Sequence, residues 1–419
     1  MISDIENILK LSSKKHTSKT LNIFWIGFII YTTSFTLSTT TTVNYIICQV
    51  FQVIGILIFL PASIKLIKWN FQDQYLEILF TLYCLWQLII IVRGIDLNYT
   101  NNKVLLFDAE QGIFRFFVPL VLLFPRNPLY YKKTIKVIVI LGVLFLLYDM
   151  LFIKNLLDLD YENESKKFTY EHFVKILSVT AGLILLTFHY QKKPIKYFAI
   201  IVLIVSVFFA IIRARRALLF MTISPFLFSY ILYVYSQKKN FLIMLFPFLF
   251  SLLILSFGIK SFYENAPGFF SLISDRATED TRTGVEIAFY QDMKAQDWII
   301  GKGINGKYYC PDIDLGSVTN YRDMIETDYL NIILKGGLIS LVLLLLIAIP
   351  AIVKGLFYSN NLLSKGAAIW ILLWVFELYP VTVNTFSLQY LTVWISIGIC
   401  YSKVIRGIPE RSLTEILSN

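Results

Sequence analysis

Arg213, Arg215 and Arg216 fall within four consecutive positions between two apolar stretches. A guanidinium presents a planar fork that holds phosphate through two parallel hydrogen bonds, so such a cluster suits a diphosphate. Were this link helical, Arg213 and Arg216 would share a face at i, i+3, with Arg215 pointing elsewhere. Snorkelling of the three side chains to lipid headgroups is the structural alternative. Arg282 precedes Thr283 and Gly284, at the start of a helical pattern where free N–H groups also favour an anion. It could equally pair with Glu279 or Asp280. Glu326 and Asp328 stand where a long apolar run begins, which suits a general base and an orienting partner. Capping of that helix by Thr327 or Asp328 is the alternative. Lys335, one or two turns further on, is a cation inside an apolar run and so a candidate for function. Arg322 adds a further cation, and Tyr321 and Tyr329, with Tyr308 and Tyr309, offer flat aromatic faces for stacking. Arg115, Asp149 and Glu377 are the other ionisable groups within apolar runs, where pairing inside a bundle is as good an explanation.

These residues need a frame. The chain has 419 residues, of which 57% are hydrophobic and 16% charged. Its mean hydropathy is +0.66. Soluble chains run about 45–50% apolar and about 25% charged. Apolar runs occur near 21–40, 43–64, 75–93, 112–125, 134–153, 172–190, 195–212, 217–236, 240–259, 328–353, 366–383 and 386–402. A span needs about 20 such residues. The expectation is an all-α polytopic membrane protein of about 12 transmembrane helices, with 112–125 the shortest run. Lys and Arg gather in the loops that share a side with the N-terminus, which makes that side cytoplasmic. The expected layout is nine helices over 1–259, a long external loop over 260–327, three helices over 328–404, and a short polar, frayed tail over 405–419. The first span is expected to be retained, because no small-residue cleavage site follows it. The basic link 213–216 then falls outside, against the usual charge bias, and an anion to bind would account for it. The net charge of +10 reflects cytoplasmic loops rather than nucleic acid. Cys48, Cys84, Cys310 and Cys400, and His16, His172 and His189, are scattered, which offers no metal site and no disulfide framework.

The segment 276–337 is the one long polar excursion. Val285, Phe289, Met293 and Trp298 predict one apolar stripe on an amphipathic helix over about 284–299, lying on the outer face. Thr283 with Glu286 has the spacing of a capping box. Gly301-Lys302-Gly303-Ile304-Asn305-Gly306 is a turn that lacks the Gly-Lys-Ser/Thr ending of a nucleotide loop.

Three features together resemble the O-antigen polymerase and O-antigen ligase superfamily of bacterial inner membranes. They are the basic link 213–216, the Arg282-Thr-Gly opening of a helix that ends in Trp298-Ile-Ile-Gly-Lys-Gly, and Glu326-x-x-Tyr329-Leu330-x-x-Ile333-x-x-x-Gly337. The resemblance covers about 205–350. Ligases of that family have His-Asn where this chain has Glu326-Thr327, which turns the expectation towards the polymerase branch. The resemblance implies a glycosyltransferase that joins oligosaccharide repeat units carried on undecaprenyl pyrophosphate. It would need no cofactor or metal. Its donor and acceptor would both be undecaprenyl-pyrophosphate-linked, and its other partners membrane lipids and a chain-length regulator protein. Arg213, Arg215, Arg216, Arg282, Arg322 and Lys335 would hold the diphosphate, and Tyr321 and Tyr329 the glycan. Glu326, Asp328 and Arg282 would act in catalysis. A ligase to another acceptor and a flippase for lipid-linked oligosaccharide are the alternatives. A transporter would be expected to show paired halves, which the chain lacks.

Overall fold

A computed structural model describes residues 15–40, 43–94, 99–125, 128–157, 170–213, 215–237, 282–311 and 320–418. Seven helices among the described residues are long and apolar enough to cross a membrane: Thr17–Ser38, Tyr45–Leu66, Gln74–Gly94, Tyr130–Leu151, Lys193–Ile212, Arg216–Ser236 and Asp328–Phe357. Helices satisfy every internal backbone group without water, which is why apolar runs of this length fold in this way. Sheet is confined, among the described residues, to one antiparallel pair, Tyr308–Tyr309 with Tyr321–Arg322. The protein is an all-α, polytopic, membrane-embedded chain.

Contacts between helix ends divide the bundle into two ends. At the terminus end, Lys133 Nζ donates to Ser18 O (2.6 Å) and Lys68 N to Leu123 O (3.1 Å). There Lys354 pairs with Asp73, and Asn361 Nδ2 donates to Ile405 O (2.8 Å) and Ile408 O (3.0 Å). At the opposite, loop end, Arg93 donates to Ile300 O and Gly301 O, both at 2.8 Å. Phe386 N donates to Ala109 O there at 2.7 Å.

Several expected spans take other forms. The run 112–125 is a 3-10 helix, Ile113–Leu123, with Pro119 inside it. At about 2.0 Å per residue its 11 residues cover about 22 Å, further than an α-helix of that length would. It therefore starts at the loop end, beside Glu110, and finishes at the terminus end, beside Lys68. The run 172–190 is not one regular helix. A π-type turn at Val174–Ser178 leads into Ala181–Leu186 and a 3-10 turn at Phe188–Tyr190. Leu362–Glu377 and Leu388–Tyr401 have 16 and 14 residues, most of them buried within the protein. The run 240–259 lies outside the described residues, as do 260–281 and 312–319 of the expected external loop.

The tail is not frayed. Glu410–Ser418 is a helix whose Leu413 and Leu417, one turn apart, are buried, and Glu410 Oε2 accepts from Leu362 N at 2.7 Å.

The helix Asp328–Phe357 breaks at Gly337, which has φ 68° and ψ −176°. Residues 338–357 alone reach about 30 Å at 1.5 Å per residue, the thickness of the hydrocarbon core. Asp328 to Gly336 therefore extend the helix past the break at the loop end. The break releases carbonyls that the Gly301–Gly306 turn collects. Lys302 N donates to Leu334 O (2.7 Å) and Gly303 N to Lys335 O (2.9 Å), while Trp86 Nε1 donates to Gly336 O (2.8 Å). So that turn has a structural task.

The amphipathic helix expected over 284–299 is two helices, Thr283–Asp292 and Ala295–Ile300, separated at extended Met293. Its stripe does not face lipid. Val285, Phe289 and Met293 form a small core with Tyr308, Cys310, Ile325, Leu330, Ile333 and Leu334, with Trp298 against it. Burying these side chains in protein removes the drive to lie on a membrane. The capping box is also absent: Arg282 occupies the cap position without a side-chain capping bond, and Glu286 accepts from Thr327 Oγ1 at 2.6 Å.

Candidate functional site

At the loop end a chain of ionised groups crosses between helices. Arg215 Nη1 lies 3.5 Å from Glu171 Oε2, and Glu171 Oε1 lies 2.8 Å from Lys175 Nζ. Lys175 Nζ is 3.8 Å from Glu110 Oε1, which is 3.1 Å from His172 Nδ1. Helical spacing puts Glu171 and Lys175 one turn apart, with Lys175 itself inside the wide Val174–Ser178 turn; such turns gather at functional sites. Glu110 comes from a different segment. Asp108 Oδ1 accepts from Glu110 N (2.6 Å) and Gln111 N (3.0 Å), a side-chain turn that aims Glu110 inward. Arg115 Nη1, also buried, donates to Glu110 O at 3.1 Å. Burial pushes the Glu110 carboxyl up, but the charges of His172 and Lys175 outweigh it and hold it at about 2. Burial, and then the charge of Glu110, raise Asp108.

Asp328 is fully buried one helix away. Its Oδ2 accepts from Val383 N (2.9 Å) and Asn384 N (2.7 Å), and its Oδ1 from Asn331 Nδ2 (3.3 Å). It therefore clamps the connection between two other helices instead of capping its own. Thr327 holds the cap position, but its hydroxyl goes to Glu286. Arg115 and Lys175 both interact electrostatically with Asp328, which joins it to the chain that ends at Arg215.

The same 378–384 connection receives Arg282. Arg282 Nη2 donates to Pro380 O at 2.6 Å, and its Nε lies 3.6 Å from Glu326 Oε2. The Glu326 side chain is 64% exposed and that of Arg282 33%. Tyr329 N donates to Leu378 O at 3.1 Å, which fixes the connection against the start of the helix. An accessible carboxylate thus sits beside a guanidinium at the rim, on a strap whose other side is held by buried Asp328.

The remaining expected residues divide. Arg213 is buried at the end of Lys193–Ile212, whereas Arg215 and Arg216 begin the next helix. The backbone at Arg213 and Arg215 is not helical, so Arg213 and Arg216 do not share a helix face; Ala214 lies outside the described residues. Lys335 is buried and donates to Gly306 O at 2.9 Å, closing the glycine-rich turn. Arg322 is half-buried opposite Tyr308 in the strand pair. Tyr308 is fully buried and unavailable for stacking, whereas Tyr321 and Tyr309 are exposed, edge to face at 5.4 Å. Tyr329 stacks on exposed Tyr379 with centroids 6.4 Å apart. Glu377 takes a bond from Gln389 inside the bundle, and Asp149 is buried there too.

Sequence reasoning missed Glu110, Glu171, Lys175 and the use of His172. A local signal existed, since Glu171 and Lys175 form an i, i+4 pair at the mouth of an apolar run. Nothing local joins them to Glu110.

The chain matches no family model, no curated protein and no solved structure.

Proposed function

We propose that the protein is a metal-independent glycosyltransferase of the O-antigen polymerase type. It transfers a growing glycan from an undecaprenyl diphosphate carrier to the sugar end of another lipid-linked repeat unit. The observation that carries this reading is the Arg282–Glu326 pair at the rim, on a strap that buried Asp328 also holds, near the partly buried chain that ends at Arg215. Guanidinium and ammonium groups stabilise the charge that develops on a departing diphosphate. Glu326 accepts the proton of the attacking hydroxyl. Exposed Tyr321, and half-buried Tyr329 beside exposed Tyr379, supply faces for the glycan. In this reading the loop end faces outward from a bacterial inner membrane, the termini are cytoplasmic, and a chain-length regulator docks alongside.

Deleting the gene tests the reaction. A polymerase leaves surface glycan of single repeat units. Loss of all attached glycan, with polymer still on the lipid carrier, would identify a ligase instead. Repeat units trapped on the cytoplasmic leaflet would identify a flippase. Orientation is tested with Tyr309→Cys and Arg411→Cys, which lie at opposite ends and should label from opposite sides of the membrane. Labelling from one side would overturn the topology.

A further inference from the structure

We infer that His172, held by Glu110, is the general acid that protonates the departing diphosphate oxygen, an assignment that rests on the glycosyl-transfer reading above. The imidazole has one nitrogen held and one open. Nδ1 lies 3.1 Å from Glu110 Oε1. Ionised Glu110 is only an acceptor, so Nδ1 carries a proton and donates. Nε2 makes no hydrogen bond among the described residues and is not sealed in, unlike Nε2 of His189. Phe35 meets the ring at 78° with centroids 5.6 Å apart, fixing its plane. This is the geometry of a carboxylate-oriented histidine that works through its second nitrogen.

The surroundings decide between acid and base. Burial disfavours the imidazolium and Lys175 adds to that, but Glu110, with Glu171 and Asp108, favours it and outweighs both. Lys175 and Arg215 bring two cations beside His172, paired with Glu171 and Glu110, and these are the groups that would meet the diphosphate, whereas Glu326 stands at the rim. The step then balances. The acceptor oxygen bonds to the anomeric carbon and its proton passes to Glu326. The bond from that carbon to the diphosphate oxygen breaks, the electron pair stays on oxygen, and Nε2 supplies a proton to it. Water afterwards returns a proton to His172 and takes one from Glu326.

Two measurements test this. In the purified full chain, diethyl pyrocarbonate should modify His172 faster than His189, read by mass spectrometry. Inorganic diphosphate should slow modification of His172 alone. An unreactive His172, or no protection, overturns the assignment without reference to turnover. With lipid-linked donor isolated from the deletion strain, kcat should fall as pH rises through the imidazole range. His172→Asn should lower kcat about 100-fold or more, with KM little changed, and remove that alkaline fall. Glu110→Gln should move the fall to lower pH, because the anion favouring the imidazolium is gone; this holds the test if His172→Asn fails to fold. Unchanged kcat and an unchanged alkaline limb in either variant, with wild-type polymer still formed, would overturn the acid and leave the reaction standing. A wild type that makes no polymer overturns the reaction itself, and protection by diphosphate then still judges where the anion sits.

Discussion

Glu110 and His172 stand 62 residues apart in the chain and meet at 3.1 Å. Each comes from a segment of irregular helical geometry, one leading into a 3-10 helix and the other into a π-type turn. Both irregular segments begin at the loop end, where the ionised chain from Arg215 to Glu110 lies.

The Glu110 contact should appear in stability against pH. Its carboxyl goes from the ordinary 4.5 to about 2 in the fold: burial raises it, and His172 and Lys175 more than offset that. A depressed carboxylate stabilises the fold above its unfolded pKa and loses that contribution as pH falls through the folded one. Stability from this group is therefore full above about 4.5 and lost progressively towards about 2. Melting temperature of the detergent-solubilised protein should drop over that window, and Glu110→Gln should flatten this part of the drop. Equal slopes in both proteins would count against the ion pair.

Asp328 should prove a clamp. Asp328→Ala leaves the buried N–H of Val383 without its acceptor, at about 1–3 kcal/mol, and that of half-buried Asn384 at less. Asp328→Asn keeps one oxygen for them and should be milder. Thermal unfolding of the two variants checks the order, and equal losses would speak against the clamp.

Gly337→Ala should loosen the docked segment. Its φ of 68° strains any L side chain, and a Cβ there would lie 2.1 Å from Ile299 O. The variant should expose residues 282–311 to protease sooner than the wild type. Since Arg282 belongs to that segment, activity should fall with it. A digestion pattern like that of the wild type would show that the break does not hold the segment.

Arg282 and Glu326 should separate by chemistry. Arg282 reaches Pro380 O and Glu326 together, and Lys cannot span both with a planar fork. Arg282→Lys should lose most activity while the protein level stays near normal. Glu326→Gln should abolish the ladder of repeat units on a gel, a fall of about 100-fold or more for a lost general base. A full-length ladder from Glu326→Gln would remove this residue from the role.

The apolar runs alone determined that this is a helical membrane protein, because hydropathy acts over consecutive residues. The same local reading marked 276–337 as the unusual excursion and put Arg282 and Glu326 in it. It could not see that Ile113–Leu123 would stretch into a 3-10 helix, since its register depends on what meets each end. Periodicity identified the stripe of Val285, Phe289 and Met293 but not its partner, which is protein and not lipid. Asp328 read as a cap because Thr327 and Asp328 have the right types for one; only packing brought Val383 and Asn384 within reach. Glu110 found His172 for the same reason: hydrogen bonds across 62 residues follow from how helices pack, and spacing along the chain carries no trace of that.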